Sequence, residues 1–107
     1  MKPLANVLVA TGLVLATVGT AAAAEVVITQ NGKKFDQKTV TISKGDTIKF
    51  VNDDSIAHNI HSRSPGGEFD LGVQKPGSNS NFTFAKDGTF KVRCAIHPKM
   101  KVTVTVK

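Results

Sequence analysis

From residue 25 onward apolar side chains recur at every second position, a period that admits strands and excludes amphipathic helices. "KTVTISKGDTIKFVND" sets Val40 and Ile42, then Ile48 and Phe50, among polar neighbours around a Lys44-Gly45-Asp46 turn. "SNFTFAKDGTFKVRC" repeats the scheme with Phe82 and Phe84, an Asp87-Gly88 turn, then Phe90 and Val92. "KVTVTVK" closes it with Val102, Val104 and Val106, and "EVVITQ" reads as an opening strand. Strands rich in Val, Ile, Thr and Phe, broken at short spacing by Gly turns, bury their apolar faces by packing sheet on sheet. The expected fold is all-β, a small Greek-key sandwich or barrel of about seven to eight strands. Residues 62–79 hold Pro65, Gly66, Gly67, Gly72, Pro76 and Gly77, and read as a loop-rich connection with one short edge strand near Phe69–Val73.

The segment before the strands is of another kind. "MKPLANVLVATGLVLATVGTAAAAE" has a positive charge at Lys2, an apolar run from Leu4 to about Val18, and small residues up to Ala24. That is the layout of a secretory signal peptide over residues 1–24, with Ala22-Ala23-Ala24 as the cleavage site. Thr11, Gly12, Thr17 and Gly19 leave the run too short and too weakly apolar to anchor the chain, so no stable membrane insertion is expected after cleavage. The expectation is an exported, periplasmic domain over residues 25–107. A domain this small, with no disulfide, has limited apolar area to bury and profits from a clamp.

Residues 25–107 carry 13 Lys and Arg against 8 Asp and Glu, and the excess is uneven. Residues 75–107 hold seven basic side chains and only Asp87 acidic. With no Trp, no Tyr and no dense Lys/Arg cluster, the composition excludes nucleic acid as a partner. The charge instead sets a field around the C-terminal third.

That third contains "FKVRCAIHPKMKVTVTV", in which the single cysteine, Cys94, is followed by His97 and Met100 at intervals of three. A lone cysteine in an exported protein is a free thiol, half of an intermolecular bridge, or a metal ligand. Strand alternation decides where it points, because residues at i, i+2 and i+4 share one face of a sheet. If Phe90 and Val92 face the core, so does Cys94; if Val102, Val104 and Val106 do, Met100 follows. In "DDSIAHNIHSR", Ile56 and Ile60 share their face with His58, while His61 takes the opposite one.

Four side chains therefore converge on one end of the sandwich: His58, Cys94, His97 and Met100. Two imidazoles, one thiolate and a weak thioether match a blue-copper electron-transfer site. Singly, each residue is explained as well by burial: a small hydrophobe, a satisfied polar side chain, a core filler. Jointly, burial leaves the C-x2-H-x2-M spacing unexplained. A Cys–His nucleophilic pair lacks an orienting Asp or Asn and gives Met100 no role. Structural zinc is chemically permitted, but a thioether suits softer copper.

On "VTISKGDTIKFVNDDSIAHNIH" and "GTFKVRCAIHPKMKVTVTV" the chain resembles the cupredoxins, and among them it is most similar to the amicyanins, which share the short C-x2-H-x2-M spacing. The resemblance implies one type 1 copper ion held by His58, Cys94, His97 and Met100, with the Asn59 backbone N–H supporting the cysteine sulfur. It implies single-electron transport by Cu(II)/Cu(I) cycling, no enzymatic activity, a monomer, and redox protein partners such as a dehydrogenase donor and a c-type cytochrome acceptor. Copper binding and delivery without electron transfer is the alternative. In the resemblance His97 is the electron exit, ringed by Ala95, Ile96 and Pro98, with Lys99, Lys101 and Lys75 steering an acidic partner. Ile96 stands where amicyanins have proline, so its N–H is available to the Cys94 sulfur, and Lys99 stands where they are apolar.

Overall fold

The computed structural model describes residues 22–107; residues 1–21, most of the expected signal peptide, lie outside the described part. Nine strands follow one another: β1 (Glu25–Asn31), β2 (Lys34–Phe35), β3 (Thr39–Ile42), β4 (Thr47–Asn52), β5 (His58–Ser62), β6 (Phe69–Gln74), β7 (Asn79–Thr83), β8 (Gly88–Arg93) and β9 (Lys101–Val106). Among the described residues there is no helix, and so none long and apolar enough to cross a membrane. The all-β expectation holds, and the ninth strand is the two-residue β2.

A four-stranded sheet of order β2-β1-β4-β7 packs on a five-stranded sheet of order β3-β9-β8-β5-β6. The β6 strand is the edge strand that the loop-rich segment contained. Alternation places Ile28, Ile48, Phe50, Ile60, Phe90, Val92, Val102 and Val104 in the shared core, each at most 2% exposed. Two of the pairings, β1 with β4 and β3 with β9, are parallel, and the others are antiparallel.

Between the sheets runs a short polar seam. Gln30 Nε2 of β1 donates to Gln74 Oε1 of β6 at 2.7 Å, and Gln74 Nε2 donates to the Phe50 carbonyl at 2.8 Å. Asn52 Nδ2 donates to the carbonyls of Gln74 and Ile56, each at 3.0 Å, and Asn52 Oδ1 accepts the Asp54 N–H at 2.9 Å. Buried amides of this kind stabilise only when paired, so they fix one arrangement of the sheets and of the loop before β5.

At the other end, Asp46 clamps the β3–β4 turn, where Gly45 takes a φ of 96°. Its carboxylate accepts the N–H groups of Ala24 and Ser43, each at 2.9 Å. These bonds, that from Ala24 first, hold the Asp46 carboxyl below its ordinary value of 3.8. A depressed carboxyl adds stability that is complete above its unfolded value and disappears as pH falls. In the chain that retains Ala24 the melting temperature should therefore decline below about pH 4, and Asp46→Asn should shrink that acid-side decline in thermal scans.

The segment after β5 is held by close backbone approach. A Cβ on Gly67 would lie 2.5 Å from Cε1 and 2.9 Å from Cγ of Phe90 and would also strike Cδ1, and that ring is 2% exposed in the core. Gly67→Ala should therefore cost about 1–3 kcal/mol through overpacking. For a domain of this size that lowers the melting temperature by about 4–8 °C per kcal/mol.

Candidate metal centre

The end of the sandwich that carries the seam also gathers the sulfur and imidazole side chains. Cys94 follows β8 directly, as the alternation of Phe90 and Val92 requires, and is 1% exposed. His58 opens β5 and is fully buried. Their side chains meet, with Cys94 Sγ 3.7 Å from His58 Nδ1. Two donors at bond lengths of about 2.3 Å to sulfur and 2.05 Å to nitrogen would subtend about 115° at a shared ion. That is close to a trigonal angle, so the pair fits a metal of the His₂Cys type.

The other nitrogen of His58 is committed. Nε2 lies 2.9 Å from Asp54 Oδ2, and Asp54 also accepts the N–H of Lys33 and of Ser55, each at 2.9 Å. The Lys33 bond first, and then the His58 bond, hold the Asp54 carboxyl at about 2. An ionised acceptor at Nε2 places the ring proton there and leaves the Nδ1 lone pair facing the sulfur.

The sulfur has one further partner, the backbone N–H of Asn59, at 3.3 Å. Asn59 also joins the two loops, since its Oδ1 accepts the Ala95 N–H at 3.3 Å. Its Nδ2 donates to Asp70 Oδ1 at 2.9 Å and to the Gly72 carbonyl at 3.0 Å. The role expected of Asn59 is thus seen in the geometry. The Ile96 N–H, which the sequence left available to the sulfur, does not reach it among the described residues, and the Ile96 side chain is 47% exposed.

The Cys94 N–H donates to the Met100 carbonyl at 3.3 Å, and the Met100 N–H donates to the His97 carbonyl at 2.9 Å. These two bonds close the turn that the two-residue gaps require. Met100 is 3% exposed, inward as the alternation of β9 demands. The His97 ring stands edge-on to that of His58, with centroids 5.2 Å apart. His61 is directed elsewhere, its Nδ1 lying 3.0 Å from Asn59 Oδ1. The structure therefore brings His58 and Cys94 together, sets His97 beside His58 and buries Met100 at the end of the same turn. Among the described residues no three His, Cys, Asp or Glu side chains form a closed cage; the preset part is the His58–Cys94 pair.

The sequence profile of copper binding proteins of the plastocyanin/azurin family matches residues 22–107. The chain belongs to the plastocyanin/azurin family. Copper is the cofactor of this family, and the thiolate–imidazole pair of the chain suits it. Amicyanin-alpha of Methylorubrum extorquens is 35% identical over 79 residues, covering 69% of this chain and 65% of that protein. A solved copper-containing nitrite reductase of Thermus scotoductus is 28% identical with a TM-score of 0.71, covering 78% of this chain and 22% of the reductase. A reduced amicyanin is 25% identical with a TM-score of 0.72, covering 86% of this chain and 89% of its own. The chain thus spans under two thirds of amicyanin-alpha and about a fifth of the reductase.

Within this family member, two features of the site were not foreseen from sequence. Asp54 is one, though an acid four residues before an inward His was a usable signal. The other is the β1–β2 hairpin: Gly32, Lys33 and Lys34 face Ile96, His97, Pro98, Lys99 and Met100 across a groove of about 540 Å³.

Proposed function

We propose that the chain is an exported, monomeric electron carrier that holds one type 1 copper ion and catalyses no reaction of its own. His58 Nδ1, the Cys94 thiolate and His97 would supply the three strong donors to that ion, and the Met100 thioether a weak one. The observation that carries the reading is the Cys94 sulfur, which receives the Asn59 N–H and faces His58 Nδ1 at 3.7 Å while Asp54 locks the far side of that ring. Copper held there would supply reversible one-electron chemistry. The protein contributes rigidity: two ligand-bearing segments tied by Asn59, on a sandwich whose sheets are pinned by Gln30, Gln74 and Asn52.

His97 stands on the loop beside exposed Ile96 and so offers the shortest exit for an electron. Its partners are taken to be redox proteins, a dehydrogenase as donor and a c-type cytochrome as acceptor. The signal-like leader supports residues 25–107 as the mature, periplasmic form.

Cyclic voltammetry of the copper-loaded protein tests this reading. A reversible one-electron wave with fast self-exchange in solution is the expected result. Release of copper to a chelating acceptor on reduction, with no reversible wave, would favour copper delivery instead.

A further inference from the structure

The outer face of the five-stranded sheet carries several cations, and among the described residues none of them is paired with a carboxylate at contact distance. His61 on β5 lies opposite Arg93 on β8, and Arg93 lies opposite Lys101 on β9. One step along, the Lys91 N–H donates to Ser64 Oγ at 2.9 Å, which brings the Arg63–Ser64 segment alongside Lys91. His61, Arg63, Ser64, Pro65, Lys91 and Arg93 together line an open groove of about 480 Å³.

Like charges set directly across a strand pair destabilise a sheet. Acids beside them would ordinarily relieve this, yet among the described residues no Lys or Arg nitrogen stands within 4.0 Å of a carboxylate. Asp70, opposite His61, attracts Arg63 from beyond contact distance, but its single negative charge does not offset Arg63, Lys91, Arg93 and Lys101 together. The face continues toward the ligand loop through Lys101, which with Lys33, Lys34, Lys38 and Lys99 borders a second groove of about 460 Å³.

We propose that this sheet face is a docking surface for an acidic protein, placed so that a bound partner also overhangs the ligand loop. The cations extend over three adjacent strands, about 10 Å across, too wide for one small oxyanion to satisfy. A lipid surface fits less well, because the exposed large apolar side chains, Val27, Val73 and Ile96, do not line this groove. Two guanidinium forks at Arg63 and Arg93 suit carboxylates, which they bind in bidentate fashion. The proposal rests on the carrier reading for its purpose and adds the sheet face on which the partner is seated. Docking itself needs no copper.

The test is an NMR titration of isotope-labelled protein, copper(I)-loaded and metal-free, with an oligo-glutamate peptide of about ten residues in low salt. Shifts should concentrate at residues 61–64, 91–93 and 101 in both forms and weaken about tenfold at physiological salt. Arg63→Glu with Lys91→Glu should weaken binding at least about fivefold. Lys44→Glu with Lys86→Glu makes the same change in net charge at the far turns, where the Gly45 N–H meets the Phe84 carbonyl, and should cost less than about twofold. Arg63→Gln with Lys91→Gln serves if charge reversal impairs folding. Equal weakening by near and far pairs, or shifts centred elsewhere, would overturn the proposal. So would binding to anionic phospholipid vesicles without response to the peptide, which would assign the face to a membrane. Peptide binding at the face in a protein that shows no reversible wave would leave docking standing and remove the carrier reading alone.

Discussion

Cys94→Ser loaded with copper(II) should be colourless, while the unaltered protein loaded in the same way should be intensely blue. The colour of such sites belongs to a short, covalent bond between cupric copper and a thiolate. A serine hydroxyl fills nearly the same space at a position 1% exposed, so the sandwich should persist, yet it stays protonated at neutral pH and offers no comparable bond. Asn59 should keep its place, since its Oδ1 still takes the Ala95 N–H and its Nδ2 still holds Asp70. The comparison that sharpens the result is His61→Ala. His61 lies on the outer face, directed at Asn59 Oδ1, and its loss should leave the colour intact. Visible absorption and circular dichroism on the two variants decide the matter. A blue Cys94→Ser protein, or a colourless but folded His61→Ala protein, would show that copper sits elsewhere.

These two residues also show what a period-two reading can and cannot reach. Alternation along β8 and β9 is regular, so the inward aim of Cys94 and Met100 follows from Phe90, Val92, Val102 and Val104 alone. Along β5 the same rule separates His58 from His61 correctly, but it does not foresee Asn59. The register shifts between Asn59 and His61, and the irregularity lets His58, Asn59 and Ile60 all be buried in succession. Asn59 as a sulfur partner came from family resemblance, not from the pattern. Ile96 shows the opposite limit: whether an N–H in a turn reaches a sulfur depends on backbone angles that composition does not encode. The parallel pairing of β1 with β4 was invisible for a related reason, since it joins segments by tertiary packing with no connecting turn signal. The cations of the hairpin and of the sheet face were each readable as single charges. Their gathering around two grooves depends on the same long-range pairing.

Asp54→Ala should reduce copper affinity by about ten- to a hundredfold, the usual consequence of removing a carboxylate that orients a ligating imidazole. The reason lies in the second nitrogen of His58. With Asp54 Oδ2 at 2.9 Å, Nε2 keeps its proton and Nδ1 keeps the lone pair that a metal needs. Because the Asp54 carboxyl is held at about 2, its charge persists throughout the ordinary working range of pH, and so does the tautomer. Alanine leaves a fully buried N–H without that acceptor, and the ring gains access to the tautomer that places a proton at Nδ1, against the metal. Asp54→Asn, which retains an oxygen at nearly the same place, should lose only a few-fold. Asp54 also accepts the Lys33 N–H, so its removal loosens the β1–β2 hairpin as well. Melting of the metal-free variants isolates that contribution, and competition with a copper chelator reads the affinity. An Asp54→Ala protein that melts lower but binds copper as tightly as before would assign the carboxylate to the hairpin alone and release His58 from its proposed orientation.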